Sequence, residues 1–406
     1  MIKGIIPKIN YEKTFSLPVM LDNNYPIAFA DNIVIHFLND LSKNILKEPS
    51  FKLEPSFVAL GFWLRKKNIQ RILFDNEHIK KENNFIVKPL GKVLHICPSN
   101  VDTMFIYSLV LSLLAGNKNI VRISSKLENI YIFKIFEIFN QLIQKKDYQI
   151  FENYINVITY ERSDIINEEF SSNVNGRIIW GGDETIKQFK SYSTKPKVKD
   201  LYFTDKVSLS IINIEDINDF ENDYNNIIKN LYNDIYTFNQ KGCSSPQSLL
   251  IIGKNIDKDA ILLRIYNSIS QLAEEKYNED ISSVSLLKLN QGVVDVIEDK
   301  VSKIINTSNY FTLAKIKKSS MPHSCGGGYL YYDLLESLDE SKQYIDERTQ
   351  TISYSGLSKK TIKSLLQDIS VEYVDRIVPI GKALDFDYIW DGYNILVEMT
   401  TLKSIK

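Results

Sequence analysis

The chain has 406 residues, enough for two or three domains that each bury a core. Its 49 basic residues nearly cancel its 50 acidic ones, for a formal charge of −1, and no basic run stands out, so electrostatics gives no reason to expect nucleic acid. Three widely spaced cysteines, Cys97, Cys243 and Cys325, form no Cys-x-x-Cys pair, which argues against a disulfide framework or zinc knuckle and for a reducing compartment.

The first residues, Met1-Ile-Lys-Gly-Ile-Ile-Pro-Lys, lack a signal-peptide core, so a cytoplasmic protein is expected. Up to about residue 85, short strand-like pieces alternate with helical patterns such as Asn32–Leu46, and His36 and His78 read there as structural or surface residues. From Phe85 the texture changes. Gly91–Cys97 reads as a buried strand, Pro98–Asp102 breaks it, Thr103–Ala115 reads as a helix ending at Gly116-Asn117, and Asn119–Ile123 is a second strand. The apolar part of that helix, Phe105–Ala115, is the longest in the chain and too short to span a bilayer. Strand, helix, strand makes a βαβ unit, with a parallel sheet and a ligand site at the carboxyl ends of its strands. Asn100 lies in the first such loop, and Arg122, Ser124, Ser125 and Lys126 lie along the second, suiting a ribose or phosphate. The same residues also suit a turn and a solvated helix start.

Tyr154–Thr159 and Arg177–Trp180 read as further strands, the latter running into Gly181-Gly-Asp-Glu-Thr185 and a helical stretch. Two glycines at a helix start let backbone approach a phosphate. Asp183 and Glu184 stabilise a helix start without any ligand, and no Gly-x-Gly-x-x-Gly fingerprint is present. Lys199–Thr204 and Ser208–Asn213 follow, and the acidic, asparagine-rich segment Glu215–Asn226 reads as a domain boundary leading into a helical pattern that ends at Phe238.

Cys243 then sits in Gln240-Lys-Gly-Cys-Ser-Ser-Pro-Gln247, before the apolar run Ser248–Ile252. Gly242, Ser244 and Ser245 leave room for an electrophile to approach a thiolate, and the following buried strand holds the loop still. A small buried cysteine at a strand entrance fits the same residues. Met321–Tyr329 gathers His323, Cys325 and three glycines, Asp346–Tyr354 turns from charged to strand-like, and the tail Ile395–Thr401 has strand-like composition suited to pairing with a neighbouring sheet. Metal ligands are too few for a centre at His323 and Cys325.

The ordered set Pro98-Ser-Asn-Val, Gly116-Asn-Lys-Asn-Ile-Val-Arg, Trp180-Gly-Gly-Asp-Glu-Thr, Gly242-Cys-Ser-Ser-Pro-Gln and Arg376-Ile-Val-Pro-Ile-Gly-Lys-Ala-Leu-Asp resembles the long-chain acyl-CoA reductase family (LuxC-like fatty-acid reductases), a branch of the aldehyde dehydrogenase superfamily. The likeness runs from about Gly91 to the carboxyl terminus. It implies an α/β, aldehyde-dehydrogenase-like fold with a Rossmann-type cofactor domain, a second α/β domain carrying the catalytic cysteine, and a small oligomerisation element. The corresponding divisions are an α+β region over 1–90 packed on the cofactor domain, a nicotinamide-cofactor domain over 91–218, a catalytic domain over 219–385, and an oligomerisation or return segment over 386–406.

The resemblance makes Cys243 the nucleophile, and Asn100 the amide that holds the thioester or thiohemiacetal oxygen. Ser99, Arg122, Ser124, Lys126, Gly181, Gly182 and Glu347 are the implied cofactor contacts. Arg122 stands where the superfamily usually has a lysine, and Asp183 where it usually has a serine. The Glu-Leu-Gly-Gly general base of hydrolytic relatives is replaced by Asp200-Leu-Tyr-Phe-Thr-Asp-Lys, with Tyr202 near the base position. An acyl-thioester reductase needs no such base, because no water attacks the acyl-enzyme. The expected activity is NADPH-dependent reduction, with NADH as the other candidate, of an acyl-CoA or acylated partner protein to an aldehyde. His323 is a proton-transfer candidate, and homo-oligomers and a complex with an acyl-protein synthetase are the implied assemblies. Reduction of a short or sugar-linked acyl group, aldehyde oxidation, and a non-catalytic scaffold on the same fold are the alternatives.

Overall fold

A computed structural model describes residues 2–8, 27–80, 85–98, 101–126, 129–317, 323–371 and 373–405. The chain divides into two compact units, Met1–Thr204 with Phe386–Lys406, and Asp205–Asp385.

Up to Thr204 the strands of the first unit are β1 (Lys3–Ile6), β2 (Phe85–Pro89), β3 (Lys92–Ile96), β4 (Lys118–Ile123), β5 (Ile155–Thr159), β6 (Gly176–Trp180) and β7 (Lys199–Phe203). Six of them form a sheet in the order β1-β5-β4-β3-β6-β7, parallel except for β1 against β5. The central strands read as near-continuous apolar runs because both faces are covered. The helix Met104–Leu114 is buried on every side, which is why it is apolar all round. It turns at Gly116, whose φ of +91° and close approach to the Ile27 carbonyl, 2.4 Å from where a Cβ would stand, leave no room for another residue. From β3 the chain winds outward through β4 and β5, then returns to place β6 and β7 on the other side. The strand order therefore reverses between β3 and β6, where a doubly wound sheet opens a crevice at its carboxyl ends.

A buried polar chain pins this centre. Trp180 Nε1 donates to Ser108 Oγ at 3.3 Å, and Ser108 Oγ lies 2.8 Å from His95 Nδ1. His95 Nε2 lies 3.0 Å from Asn119 Oδ1, while the Asn119 amide nitrogen donates to the carbonyls of Asn117 and Tyr154. With that amide committed as donor, Oδ1 accepts, so His95 carries its proton on Nε2 and Nδ1 accepts from Ser108. Burial pushes the His95 imidazole down to about 4, with the bond to Asn119 offsetting part of the fall. Unfolded, the ring titrates near its ordinary value of about 6.5. Because the folded value is depressed, the stability it protects is intact above about 6.5 and is lost as pH falls from there toward 4, by about 3 kcal/mol. Urea midpoints at pH 7.5 and pH 5 are expected to differ less in His95→Gln than in wild type; equal differences would remove this linkage.

The helix Asn32–Lys47 is capped by Asp31, whose carboxylate accepts from Ile33 N. His36 and His78 are both exposed. The tail differs from its sequence reading. Asn394 caps a helical turn, Ile395–Glu398, by accepting from Val397 N, so extended chain begins only at Thr400. The strand Thr400–Ser404 then pairs antiparallel with β2.

The second unit holds β8 (Val207–Asn213), β9 (Pro246–Ile252), β10 (Val301–Ile305), β11 (Thr312–Ile316), β12 (Tyr329–Leu335), β13 (Thr349–Ser355) and β14 (Arg376–Pro379), ordered β10-β11-β12-β9-β8-β13-β14. All neighbours are parallel except β10 and β11. Alternate residues feed two cores. Leu249, Ile251 and Ile212 pack with the helices Ile217–Tyr236 and Lys258–Lys276, and Leu209, Ile211 and Leu250 pack on the opposite face with Leu365. Most of the acidic segment Glu215–Asn226 lies in the helix Ile217–Tyr236, which buries Phe220, Tyr224, Ile227 and Ile228 and turns Asp219, Glu221 and Asp223 outward. Among the described residues no helix is long and apolar enough to cross a membrane.

Candidate active site

In the second unit, β12, β9, β8 and β13 are consecutive parallel neighbours, so the segments that precede them meet at one edge of the sheet. Cys243 precedes β9, His323 precedes β12 and Glu347 precedes β13. Three residues singled out from sequence are thus gathered at the amino-terminal edge.

The Cys243 loop is held by side chains the sequence reading missed. Ser208 Oγ donates to the Cys243 carbonyl at 2.7 Å and accepts from Thr351 N at 3.1 Å, linking β8, the cysteine and β13. Gln240 is buried, with a φ of +58°; its Nε2 donates to the carbonyls of Pro246 and Tyr329, and its Oε1 accepts from Gly328 N. Gln247 Oε1 accepts from Ser324 N at 2.9 Å, and Ser324 Oγ donates to the Tyr329 carbonyl. Two glutamines flanking the cysteine therefore fasten its loop to the glycine-rich loop after His323. Gly328, at φ +81°, passes so close to the Tyr236 hydroxyl that a Cβ would stand 2.2 Å from it. Gln240→Ala takes this partner from the buried Gly328 N–H and Pro246 carbonyl, while the Tyr329 carbonyl keeps Ser324, at about 1–3 kcal/mol for the stranded N–H. Loosening the Cys243 loop is expected to lower turnover by about a hundredfold; the check is kcat with the urea midpoint measured in parallel.

The three cysteines lie in different environments. Burial raises the Cys97 thiol far above its ordinary range, and burial raises the Cys325 thiol to about 11 with the Lys288 charge offsetting part of the rise. Both stay protonated at neutral pH and are poor nucleophiles. Cys243 is partly exposed on its pinned loop. The His323 ring is exposed and its carbonyl accepts from the Tyr331 hydroxyl at 3.3 Å, while Glu347 is exposed in the turn before β13.

In the first unit, the residues nominated for a cofactor follow β4 and β6. Arg122, near the end of β4, donates to the Tyr160 carbonyl at 3.4 Å and stacks over the Tyr160 ring at 5.4 Å. Ser124 Oγ accepts from Lys126 N, and Lys126 is exposed. Gly181 and Gly182 end β6 beside the strand-order reversal, and Gly182 caps the helix Asp183–Ser191. A Cβ on Gly182 would meet nothing within 4 Å, so open space lies against this helix start. That open cradle, at a helix N-terminus beside the reversal, fits the pyrophosphate of a dinucleotide. Ser99 and Asn100 lie outside the described residues.

The stretch set against the hydrolytic base is tied up. Arg177 Nε and Nη2 donate to the two Asp200 oxygens at 2.7 and 2.5 Å, and Arg177 Nη1 donates to the Phe189 carbonyl. Tyr202 donates its hydroxyl to Asp200 at 2.7 Å. Burial alone would raise the Asp200 carboxyl, but the bonds from Arg177 and Tyr202 outweigh it and hold it below the usual range. Burial and the adjacent Asp200 push the Tyr202 phenol up to about 12. Both Asp200 oxygens are thus occupied as acceptors, and the Tyr202 phenol stays protonated at neutral pH, an arrangement that disfavours proton abstraction from water.

The model of the acyl-CoA reductase (LuxC) family matches residues 63–402. A long-chain acyl-protein thioester reductase of Photobacterium phosphoreum is 24% identical over 272 residues, which cover 65% of this chain and 52% of that protein, so the match spans about half the relative's length. Solved structures share the fold at low identity. An NAD-dependent aldehyde dehydrogenase from Sinorhizobium meliloti superposes with a TM-score of 0.65 at 12% identity, covering 93% of this chain and 82% of that one. Lactaldehyde dehydrogenase from Escherichia coli gives 0.61 at 14%, over 92% and 86%. PnpE in complex with nicotinamide adenine dinucleotide gives 0.61 at 12%, over 93% and 86%.

Proposed function

The chain belongs to the acyl-CoA reductase (LuxC) family and has an aldehyde-dehydrogenase fold, and on that premise we propose that it reduces an acyl thioester to an aldehyde through an acyl-enzyme on Cys243. The observation that carries the reading is the Cys243 loop, partly open and fastened by Ser208, Gln240 and Gln247. The thiolate attacks the thioester carbonyl, a Cys243 S–C bond forms, the donor's S–C bond breaks, and the donor leaves as thiolate. The Cys243 N–H and the Asn100 amide are assigned to the oxyanion. NADPH, when bound, supplies the hydride. Collapse of the thiohemiacetal breaks the Cys243 S–C bond and releases the aldehyde, with His323 assigned to proton transfer.

Gly181 and Gly182 are assigned to the pyrophosphate, Glu347 to the nicotinamide ribose, and Ser99, Ser124, Lys126 and Arg122 to the adenosine end, where the two cations favour a 2′-phosphate. The donor is a fatty acyl-CoA or an acylated partner protein, and a homo-oligomer working with an acyl-protein synthetase in the cytoplasm is the assembly that family likeness favours. The paired Asp200 supports reduction over oxidation to a free acid. The test is product analysis. Tetradecanoyl-CoA with NADPH is expected to give tetradecanal, and tetradecanal with NADP+ in the absence of CoA is expected to give little acid; rapid acid formation would overturn the reductive reading. In the same assay Arg122→Glu is expected to penalise NADPH more than NADH, by about tenfold or more, and equal losses would remove the 2′-phosphate assignment.

A further inference from the structure

The helix Ile281–Ile297 is apolar well beyond its buried stripe. Leu289, Val293, Val296 and Ile297 are 51 to 76% exposed. A helix apolar on its outer side is expected to be covered. These side chains, with Ile304 of β10, line a groove of about 640 Å³, within the usual size of a small-molecule site. From Ser285 to Ile297 the groove follows the helix for about 18 Å at 1.5 Å per residue. Gly292 lies between its ends; a Cβ there would stand 3.2 Å from Ile304 Cδ1, so glycine keeps the channel open between helix and strand.

One end of the groove is cationic. Lys288 lines it and is only 4% exposed, yet the partner its ammonium shows is a carbonyl, that of Asn309 at 2.7 Å, which also accepts from Ser285 Oγ. Among the described residues no carboxylate acts on this ammonium, and the one charged or titratable neighbour that it feels there is the Cys325 thiol. Burial accordingly lowers Lys288 to about 8. A buried cation without a counter-ion is costly, and an anion placed beside it relieves that cost. A long apolar channel headed by such a cation is complementary in shape and charge to one class of ligand.

We propose that the groove between the helix Ile281–Ile297 and β10 binds a long-chain fatty carboxylate, its headgroup on Lys288 and its chain along Leu289, Val293, Val296 and Ile304. None of these residues belongs to the Cys243 loop, so the assignment stands or falls apart from the reductase reading. The test is calorimetric titration of the full chain with decanoate, dodecanoate, tetradecanoate and tetradecanol. Affinity is expected to tighten about fourfold for each methylene added until the groove is filled. Lys288→Met is expected to weaken tetradecanoate at least tenfold and leave tetradecanol nearly unchanged, because it removes the charge and keeps the bulk. Val293→Asp is expected to weaken both. Tetradecanoate binding that survives both substitutions, or no binding by the wild type, overturns the assignment. A wild type that binds neither ligand but becomes a smaller species in sedimentation on Val293→Asp would show the groove to be an interface between copies of this chain.

Discussion

Cys243→Ala is expected to abolish acyl transfer and aldehyde formation, lowering kcat/KM more than about ten-thousandfold, since removing a covalent nucleophile forfeits most of the catalysis the site assembles. Cys243→Ser keeps the size of the side chain but not the thiolate, and is expected to be nearly as inactive. Cys97→Ala and Cys325→Ala are the internal controls. Burial keeps both thiols protonated, so their loss is expected to change stability and leave acylation within about threefold. Stopped-flow release of CoA thiol, followed separately from aldehyde formation, distinguishes the two steps. Near-normal thiol release from Cys243→Ala would move the nucleophile elsewhere.

The second large effect is on folding. Asp200→Ala strands the Arg177 guanidinium, which is 2% exposed, with the Phe189 carbonyl and the Tyr202 hydroxyl as the partners that remain. Breaking a buried pair from one side costs about 3–5 kcal/mol, whereas replacing both partners with apolar residues restores much of it. Thermal and urea unfolding of Asp200→Ala, Arg177→Met and the double variant Arg177→Met with Asp200→Leu are expected to show that non-additivity. The same series tests the chemistry of the stretch. If Asp200 served as a base for water, Asp200→Asn would depress aldehyde oxidation while leaving the fold nearly as stable; a large loss of stability is the expected result.

Much of this organisation is legible in the residues. The parallel strands show as apolar runs because both faces of each sheet are covered. The turn after the Met104–Leu114 helix shows as Gly116-Asn117 because the backbone there adopts a φ few other residues tolerate. The cysteine loop shows through its small neighbours. What pins that loop does not, because Ser208, Gln240 and Gln247 bond to main-chain groups far away in the chain, on β13 and on the loop before β12, and nothing local marks a glutamine as buried. His95 is concealed in the same way, as one polar letter in an apolar strand whose partners arrive from a helix and from β4. The acidic segment reads as a boundary because its charges dominate its composition, while the buried stripe Phe220, Tyr224, Ile227 and Ile228 recurs at helical spacing beneath them. The tail reads as strand because its residues are apolar and β-branched, and a single capping asparagine diverts four of them into a helical turn.

The most direct measurement is the intact mass of wild type and Cys243→Ala after incubation with a series of acyl-CoAs in the absence of any nicotinamide. The account predicts one added acyl group on wild type, none on Cys243→Ala, and loss of that mass with release of aldehyde when NADPH follows. An adduct that persists on Cys243→Ala, or an acyl group that NADPH discharges as free acid, would contradict it.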